Sequence, residues 1–261
     1  MTISPQRSPD PSDFGASACF GDCADCGRRH DLPAGNARAL ALDLMRELET
    51  TQRLDFRVPE SEADPRYSLA NVIRPGYGNM FGVLECQNAE GESVVLRAFS
   101  SLWEGIRDID GWVLPLLDAV VHDEIILPGQ AEIKEMTSQM NDLPSDSTEY
   151  RDLKAVRRET SQSLWAKMRA AYRFRNSRGA ERSLDDAVLP GMSVVSGMGE
   201  CCAPKLLNHA VLHGLRPISI AEFYWGIGPQ KRGRVSGEFY ASCEARCQPL
   251  LGYMLCGLDE A

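Results

Sequence analysis

The sequence predicts an α/β fold: a mixed central sheet flanked by helices, with a small cysteine-rich knuckle at the N-terminus. Three observations carry that reading. Met80 to Gln87 and Ser93 to Phe99 are β-rich runs joined by Asn88-Ala89-Glu90-Gly91, which is a hairpin signal. The last third alternates a helix running to about His213, a strand from Pro217 to Trp225 and a final helix through Leu255. Near the start, Cys19 to His30 reads Cys-x3-Cys-x2-Cys-x3-His. At such spacing a tight turn presents thiolates together.

Taken in order, residues 1–18 are polar and proline-rich and read as a disordered lead-in, and residues 19–58 as the knuckle plus a helix. That helix starts near Asn36, a suitable N-cap, and Ala37, Leu40, Ala41, Leu44 and Leu48 recur on one apolar face. A polar linker over 59–75 precedes the α/β domain, expected over 76–261. Within it Trp103 to Leu117 reads as helical or irregular, and Gly129 to Met140 has helical composition. Asp146 to Tyr172 is the clearest helix: Asp146 with Glu149 suits a capped start, and Leu153, Val156, Thr160, Leu164 and Met168 trace one face. With its sequel this basic element covers 146–175.

The chain has 261 residues, 43% of them hydrophobic, enough to core one large domain or a domain plus a small module. No stretch approaches a membrane-spanning length, and the N-terminus has no charged-then-apolar signal pattern. A soluble cytoplasmic protein with no membrane partner is expected. The nine cysteines cluster at the two ends, with only Cys86 between. Without a signal peptide, an odd number of thiols at short spacings favours metal ligation over disulfides.

Two metal constellations follow. Cys19, Cys23, Cys26 and His30 give zinc four protein ligands and leave no position for water, which is the pattern of a structural site. Cys201 follows a glycine-rich turn and precedes Pro204, and Cys243 and Cys247 stand just ahead of Pro249. Both places suit a helix N-terminus, where the helix dipole favours a thiolate. Three thiolates on two helix starts leave the fourth zinc position to water, as in zinc-dependent nucleobase deaminases. Cys202 and Cys256 read as small buried hydrophobes, and His209 and His213 as ordinary surface or helix-end histidines.

The run Gly199-Glu200-Cys201-Cys202-Ala203-Pro204-Lys205-Leu206-Leu207, with Leu215-Arg216-Pro217-Ile218, Ala221-Glu222-Phe223-Tyr224-Trp225-Gly226, Phe239-Tyr240 and Cys243 to Cys247, carries a family likeness. It resembles the amino-terminal domain that precedes the catalytic part of some bacterial RNA pseudouridine synthases of the large-ribosomal-subunit type. The likeness extends over Met80 to Phe99, Gly111-Trp112-Val113 and the basic helix, so it spans most of the chain. It implies an RNA-related role, beside a separate RNA-modifying enzyme, for a domain that ends at Ala261 ahead of any synthase part. A second resemblance, to the bacterial toxin branch of the deaminase superfamily, implies a deaminase-like core. There a hairpin precedes a histidine-x-glutamate-proline helix, a strand and a paired-cysteine helix. Cys201 takes the histidine's place, Ala203 stands where the proton-carrying glutamate belongs, and the cysteine pair is spaced by three residues rather than two. Glu200 and Glu222 are the candidates for a displaced acid.

Net charge is −9, against a generally basic nucleic-acid binder. Between Arg151 and Arg182, however, ten Lys/Arg face three acids, a local +7. Lys154, Arg157, Arg158, Lys167, Arg169, Arg173 and Arg175, with Lys231 and Arg232, are candidates to grip RNA phosphates, and Trp165, Tyr172 and Phe174 to stack on bases. Two functions are therefore expected: a zinc-dependent hydrolytic deaminase acting on a nucleobase in RNA, or a non-catalytic, zinc-stabilised RNA-binding module.

Overall fold

The computed structural model describes residues 18–227 and 233–260, so the expected lead-in lies, Ala18 apart, outside the described residues, as do Lys231 and Arg232. β1 (Cys19–Asp22) and β2 (Arg29–Leu32) form an antiparallel hairpin ahead of α1 (Ala37–Thr51). Three 3-10 turns between 60 and 71 occupy the polar linker. β3 (Gly78–Gln87) and β4 (Ser93–Phe99) make the second hairpin, in whose turn Asn88 Oδ1 accepts from the amides of Glu90 and Glu92. An irregular stretch leads to α2 (Ala119–Val121), a π-helical turn (His122–Ile126), α3 (Leu127–Asn141) and α4 (Thr148–Ala171). After short β5 (Phe174–Arg175), β6 (Glu181–Arg182) and α5 (Leu184–Ala187) come α6 (Cys202–Leu212), β7 (Arg216–Gly226), β8 (Phe239–Tyr240) and α7 (Gln248–Leu255).

The main sheet has the order β4-β3-β7-β8, and each of its strand pairings is antiparallel. The expected mixed sheet is therefore corrected. β4 and β7 do run the same way, but β3 lies between them: the chain leaves β4, crosses through α6 and returns on the other edge of β3. Among the described residues no two named strands of this sheet are parallel neighbours; a single isolated bridge, Pro75 with Ile227, is parallel.

Alternation along the strands divides two apolar faces. Phe81 and Val83 of β3 and Ala221 and Phe223 of β7 pack with Ala37, Ala41, Leu44 and Leu48 of α1 and with Trp103 and Trp112. Leu84, Cys86 and Ile220 pack instead with Leu206, Leu207 and Ala210 of α6 and Leu250, Leu251 and Met254 of α7. The layers are thus α1, sheet, and α6 with α7. Helix starts depart from the expected caps. Asn36 does hold the N-cap position of α1, but its side chain donates to Glu85 (3.0 Å), and the amide of Ala37 is satisfied by Ser219 Oγ of β7 (2.9 Å). α4 is capped by Ser147 rather than Asp146, with Oγ accepting from the amide of Tyr150 at 3.0 Å.

Two close approaches position everything below. At Gly82 a Cβ would stand 2.6 Å from Cys202 Cβ, so its bare backbone lets the first turn of α6 settle onto β3. At Gly252 a Cβ would fall 2.0 Å from the carbonyl oxygen of Asp22, and at Gly21 one would fall 2.4 Å from the Gly252 nitrogen. β1 and α7 therefore touch backbone to backbone. Gly252→Ala cannot be absorbed by a side-chain rotation and is expected to cost at least ~1–3 kcal/mol, the usual penalty for overpacking. A thermal melt indistinguishable from wild type would contradict this packing. No helix among the described residues is long and apolar enough to cross a membrane.

Candidate metal centres

The first cluster gathers Cys23, Cys26, His30 and Cys256, whose ligand atoms all lie within 4.8 Å of one another. The hairpin sets three of them. The Cys23 amide donates to the Arg28 carbonyl (2.9 Å) and the Gly27 amide to the Cys23 carbonyl (3.0 Å), closing a turn that brings Cys23 and Cys26 to one side. β2 then carries His30 inward, where Cys26 Sγ and His30 Nε2 are 3.1 Å apart. A hydrogen bond from the Arg28 amide, above all, draws the Cys26 thiol down to about 6. Cys256 arrives from the far end of the chain, at the C-cap of α7.

Cys19 is not part of this cluster, which corrects the expected ligand set. It lies four residues before Cys23, and β1 is extended over Cys19–Asp22. At about 3.3 Å per strand residue that separation is roughly 13 Å, too far for two ligands of one ion. Its thiol is instead fully buried beside Glu222 and Ser242, and burial pushes it well above its ordinary range. Cys256, read from sequence as a small buried hydrophobe, is the fourth member of the group that could hold a metal ion.

The second cluster is the expected one: Cys201, Cys243 and Cys247, again mutually within 4.8 Å. Cys201 is the N-cap of α6 and Cys247 that of α7, with Pro249 in the first turn. The Cys243 carbonyl accepts from the amides of Cys247 (3.0 Å) and Gln248 (3.1 Å), a turn that folds Cys243 back over Cys247, their sulfurs 3.4 Å apart. The Cys243 thiol is pulled well below its ordinary range by hydrogen bonds from Cys201 first and Cys247 second. A tetrahedral zinc with bonds near 2.3 Å holds its sulfurs about 3.8 Å apart, so the donor set and its spacing fit that ion. Among the described residues no fourth Cys, His, Asp or Glu joins the three.

The two candidate acids part company. Glu222 projects from β7 toward the start of α6, on the face shared by Ile220 and opposite Ala221 and Phe223. Its Oε1 accepts from the Ala203 amide (3.2 Å) and its Oε2 from Ser242 Oγ (3.4 Å). Burial, aided by the nearby Cys243, pushes this carboxyl up to about 7 despite those two donors. Glu200 instead accepts from the Tyr172 hydroxyl and turns toward the end of α4. Nothing in the sequence pointed to Ser242, the residue that bridges Glu222 and the Ala18 carbonyl.

The basic segment is less of a surface than its composition suggests. Arg169 pairs with Asp185, and Arg173 and Arg175 with Glu181. Lys154 and Arg158 are exposed, four apart on one face of α4. Lys167, also exposed, is nine positions beyond Arg158, about two and a half turns, and so points the opposite way. Arg157 is half-buried. Base stacking by Tyr172 and Phe174 is corrected: they are 1% and 0% exposed and stack on each other at 5.9 Å. Trp165 is half-buried against the same core. Cys202 is buried, its thiol on the Met80 carbonyl, and His209 of α6 stacks at 3.9 Å on His213 at the C-cap, neither joining either cluster.

No family model, curated protein or solved structure matches the chain.

Proposed function

We propose that the chain is a zinc-dependent hydrolase with a deaminase-like core and a separate zinc knuckle, removing an amino group from a nucleobase in RNA. One observation carries the reading: three sulfurs from two helix N-termini converge within 4.8 Å, with a buried carboxylate on the strand between those helices. The order hairpin, helix, strand, helix (β3–β4, α6, β7, α7) supports it as well. Cys201, Cys243 and Cys247 would hold the zinc, which when bound would supply Lewis acidity to activate water for attack. The N-cap positions at the starts of α6 and α7 orient the sulfurs of Cys201 and Cys247, and of the three thiols it is Cys243 that is drawn below its ordinary range. Glu222 holds the proton: its carboxylate hydrogen-bonds the backbone of residue 203, where Ala203 replaces the glutamate of the resembled deaminases. In the reaction the water oxygen bonds to the amino-bearing ring carbon while Glu222 takes one water proton and passes it to the adjacent ring nitrogen. Glu222 then carries the remaining hydroxyl proton to the amino group, the carbon–nitrogen bond breaks, and ammonia leaves a ring carbonyl beside a ring N–H. A carboxyl near neutral pKa is suited to moving a proton both ways.

The alternative, a non-catalytic module whose zinc ions only pin elements together beside a separate pseudouridine synthase, is favoured by one observation. Both Glu222 oxygens already have partners within the chain. Ammonia release from nucleosides and RNA separates the two: release that depends on Cys243 and Glu222 supports the hydrolase, and none from any base rejects it. The RNA contact has its own test. Lys154→Glu with Arg158→Glu should weaken RNA retention and flatten its salt dependence by about two ion contacts. Unchanged retention would reject that face of α4.

A further inference from the structure

We infer that Cys23, Cys26, His30 and Cys256 bind one structural zinc ion, which staples the N-terminal hairpin to the C-terminal end of α7. Three thiolates and one imidazole, at mutual distances within 4.8 Å, are a complete tetrahedral donor set for zinc. Every protein ligand position is filled, so the site has no room for substrate chemistry. It stands independently of the proposed hydrolysis at Cys201, Cys243 and Cys247.

The surroundings are built as metal surroundings are. His30 directs Nε2 at Cys26 while its other nitrogen, Nδ1, faces Asp259 Oδ2 at 3.8 Å. At that distance Asp259 places a negative charge behind the imidazole without hydrogen-bonding it. Cys256 Sγ accepts from Arg178 Nη1 at 3.1 Å, and the same guanidinium grips Glu260 through Nε (2.9 Å) and Nη2 (2.6 Å). Arg178 thus spends one donor on the sulfur and two on a carboxylate that anchors the last turn. Three of the four ligands are buried and Cys26 is half-exposed, which leaves an entry side at the hairpin turn.

Cross-linking opposite ends of the chain is also where a clamp has most effect, because a larger loop is closed in the unfolded state. β1 and α7 already meet at Gly21 and Gly252 without intervening side chains. The ion would hold that contact at the end where Cys23 leaves the strand and Cys256 leaves the helix.

Zinc itself is the probe, measured by elemental analysis on the full chain carrying Cys243→Ser, so that the second centre does not contribute. One zinc per chain is expected. Adding Cys26→Ser or Cys256→Ser should remove it, adding Cys19→Ala should not, and adding Arg178→Gln should weaken it roughly 10–100-fold. Retention in the folded Cys256→Ser chain, or loss in the folded Cys19→Ala chain, would overturn the assignment. Cys256 is buried and its replacement can unfold the protein, so alkylation of the wild-type chain asks the same question without a substitution. Cys26 should resist iodoacetamide when zinc is loaded and react once a chelator is added; equal rates under both conditions would equally overturn the site.

Discussion

Cys243→Ser is expected to remove one zinc ion per chain and to bring ammonia release down to background. The choice of residue matters. Cys247 is buried and caps α7, so its loss would disturb the helix as well as the ion. Cys243 is half-exposed, and its structural work is done by its backbone carbonyl, which serine keeps. The substitution therefore isolates the sulfur. Stability should fall with the ion: a ligand that binds only the folded state at a thousand times its Kd stabilises it by ~4 kcal/mol. Calorimetry with and without zinc checks this, since the zinc-dependent rise in melting temperature should shrink in the mutant. An unchanged metal content would show that the three sulfurs do not share an ion.

Glu222→Gln carries the second large effect. Glutamine has the same shape and retains an oxygen for the Ala203 amide and a polar group for Ser242, so the start of α6 stays satisfied. It cannot take up and return a proton. Loss of general acid–base catalysis should lower kcat by about a hundredfold or more, with zinc content unchanged. Glu200→Gln is the comparison: its carboxylate is engaged by Tyr172 and does not join the group of three sulfurs, and its rate should stay within a few-fold of wild type. A Glu222→Gln enzyme as fast as wild type would move the proton carrier elsewhere.

Much of this site was legible because its chemistry is local in sequence. Cys201 before Cys202-Ala203-Pro204 and Cys247 before Gln248-Pro249 mark helix starts through proline placement, and both cysteines are N-caps. The hairpin, the long basic helix and the strand after Gly214 were visible through turn residues and periodicity. What sequence could not supply was set by contacts between distant segments. α1 is capped by a serine on β7, so Asn36, a good local candidate, is free to bond Glu85. Cys19 fits the spacing of a zinc motif, but the extended conformation of β1 carries it away from Cys23 and into the core beside Glu222. Cys256 has no neighbouring cysteine to announce it and becomes a ligand candidate only because α7 ends against the hairpin. The charge of the 151–182 segment was read correctly as a sum, yet Asp185, Glu260 and Asp25 pair with Arg169, Arg178 and Arg182 from outside the segment, while Glu181, already counted in the sum, holds Arg173 and Arg175.

One element links the two centres. α7 (Gln248–Leu255) has Cys247 at its N-cap and Cys256 at its C-cap, with eight helical residues or about 12 Å at 1.5 Å each between them. β1 runs alongside, with Cys19 beside Glu222 at one end and Cys23 following the other. The same backbone contact at Gly21 and Gly252 therefore supports both clusters, and the Gly252→Ala penalty should appear in the zinc content of each.

Diffraction at the zinc absorption edge, from crystals of the full chain, addresses the main claim most directly. The expected result is an anomalous peak about 2.3 Å from the sulfurs of Cys201, Cys243 and Cys247, with Glu222 beside it. Zinc-loaded crystals showing no peak among those three sulfurs would contradict the claim.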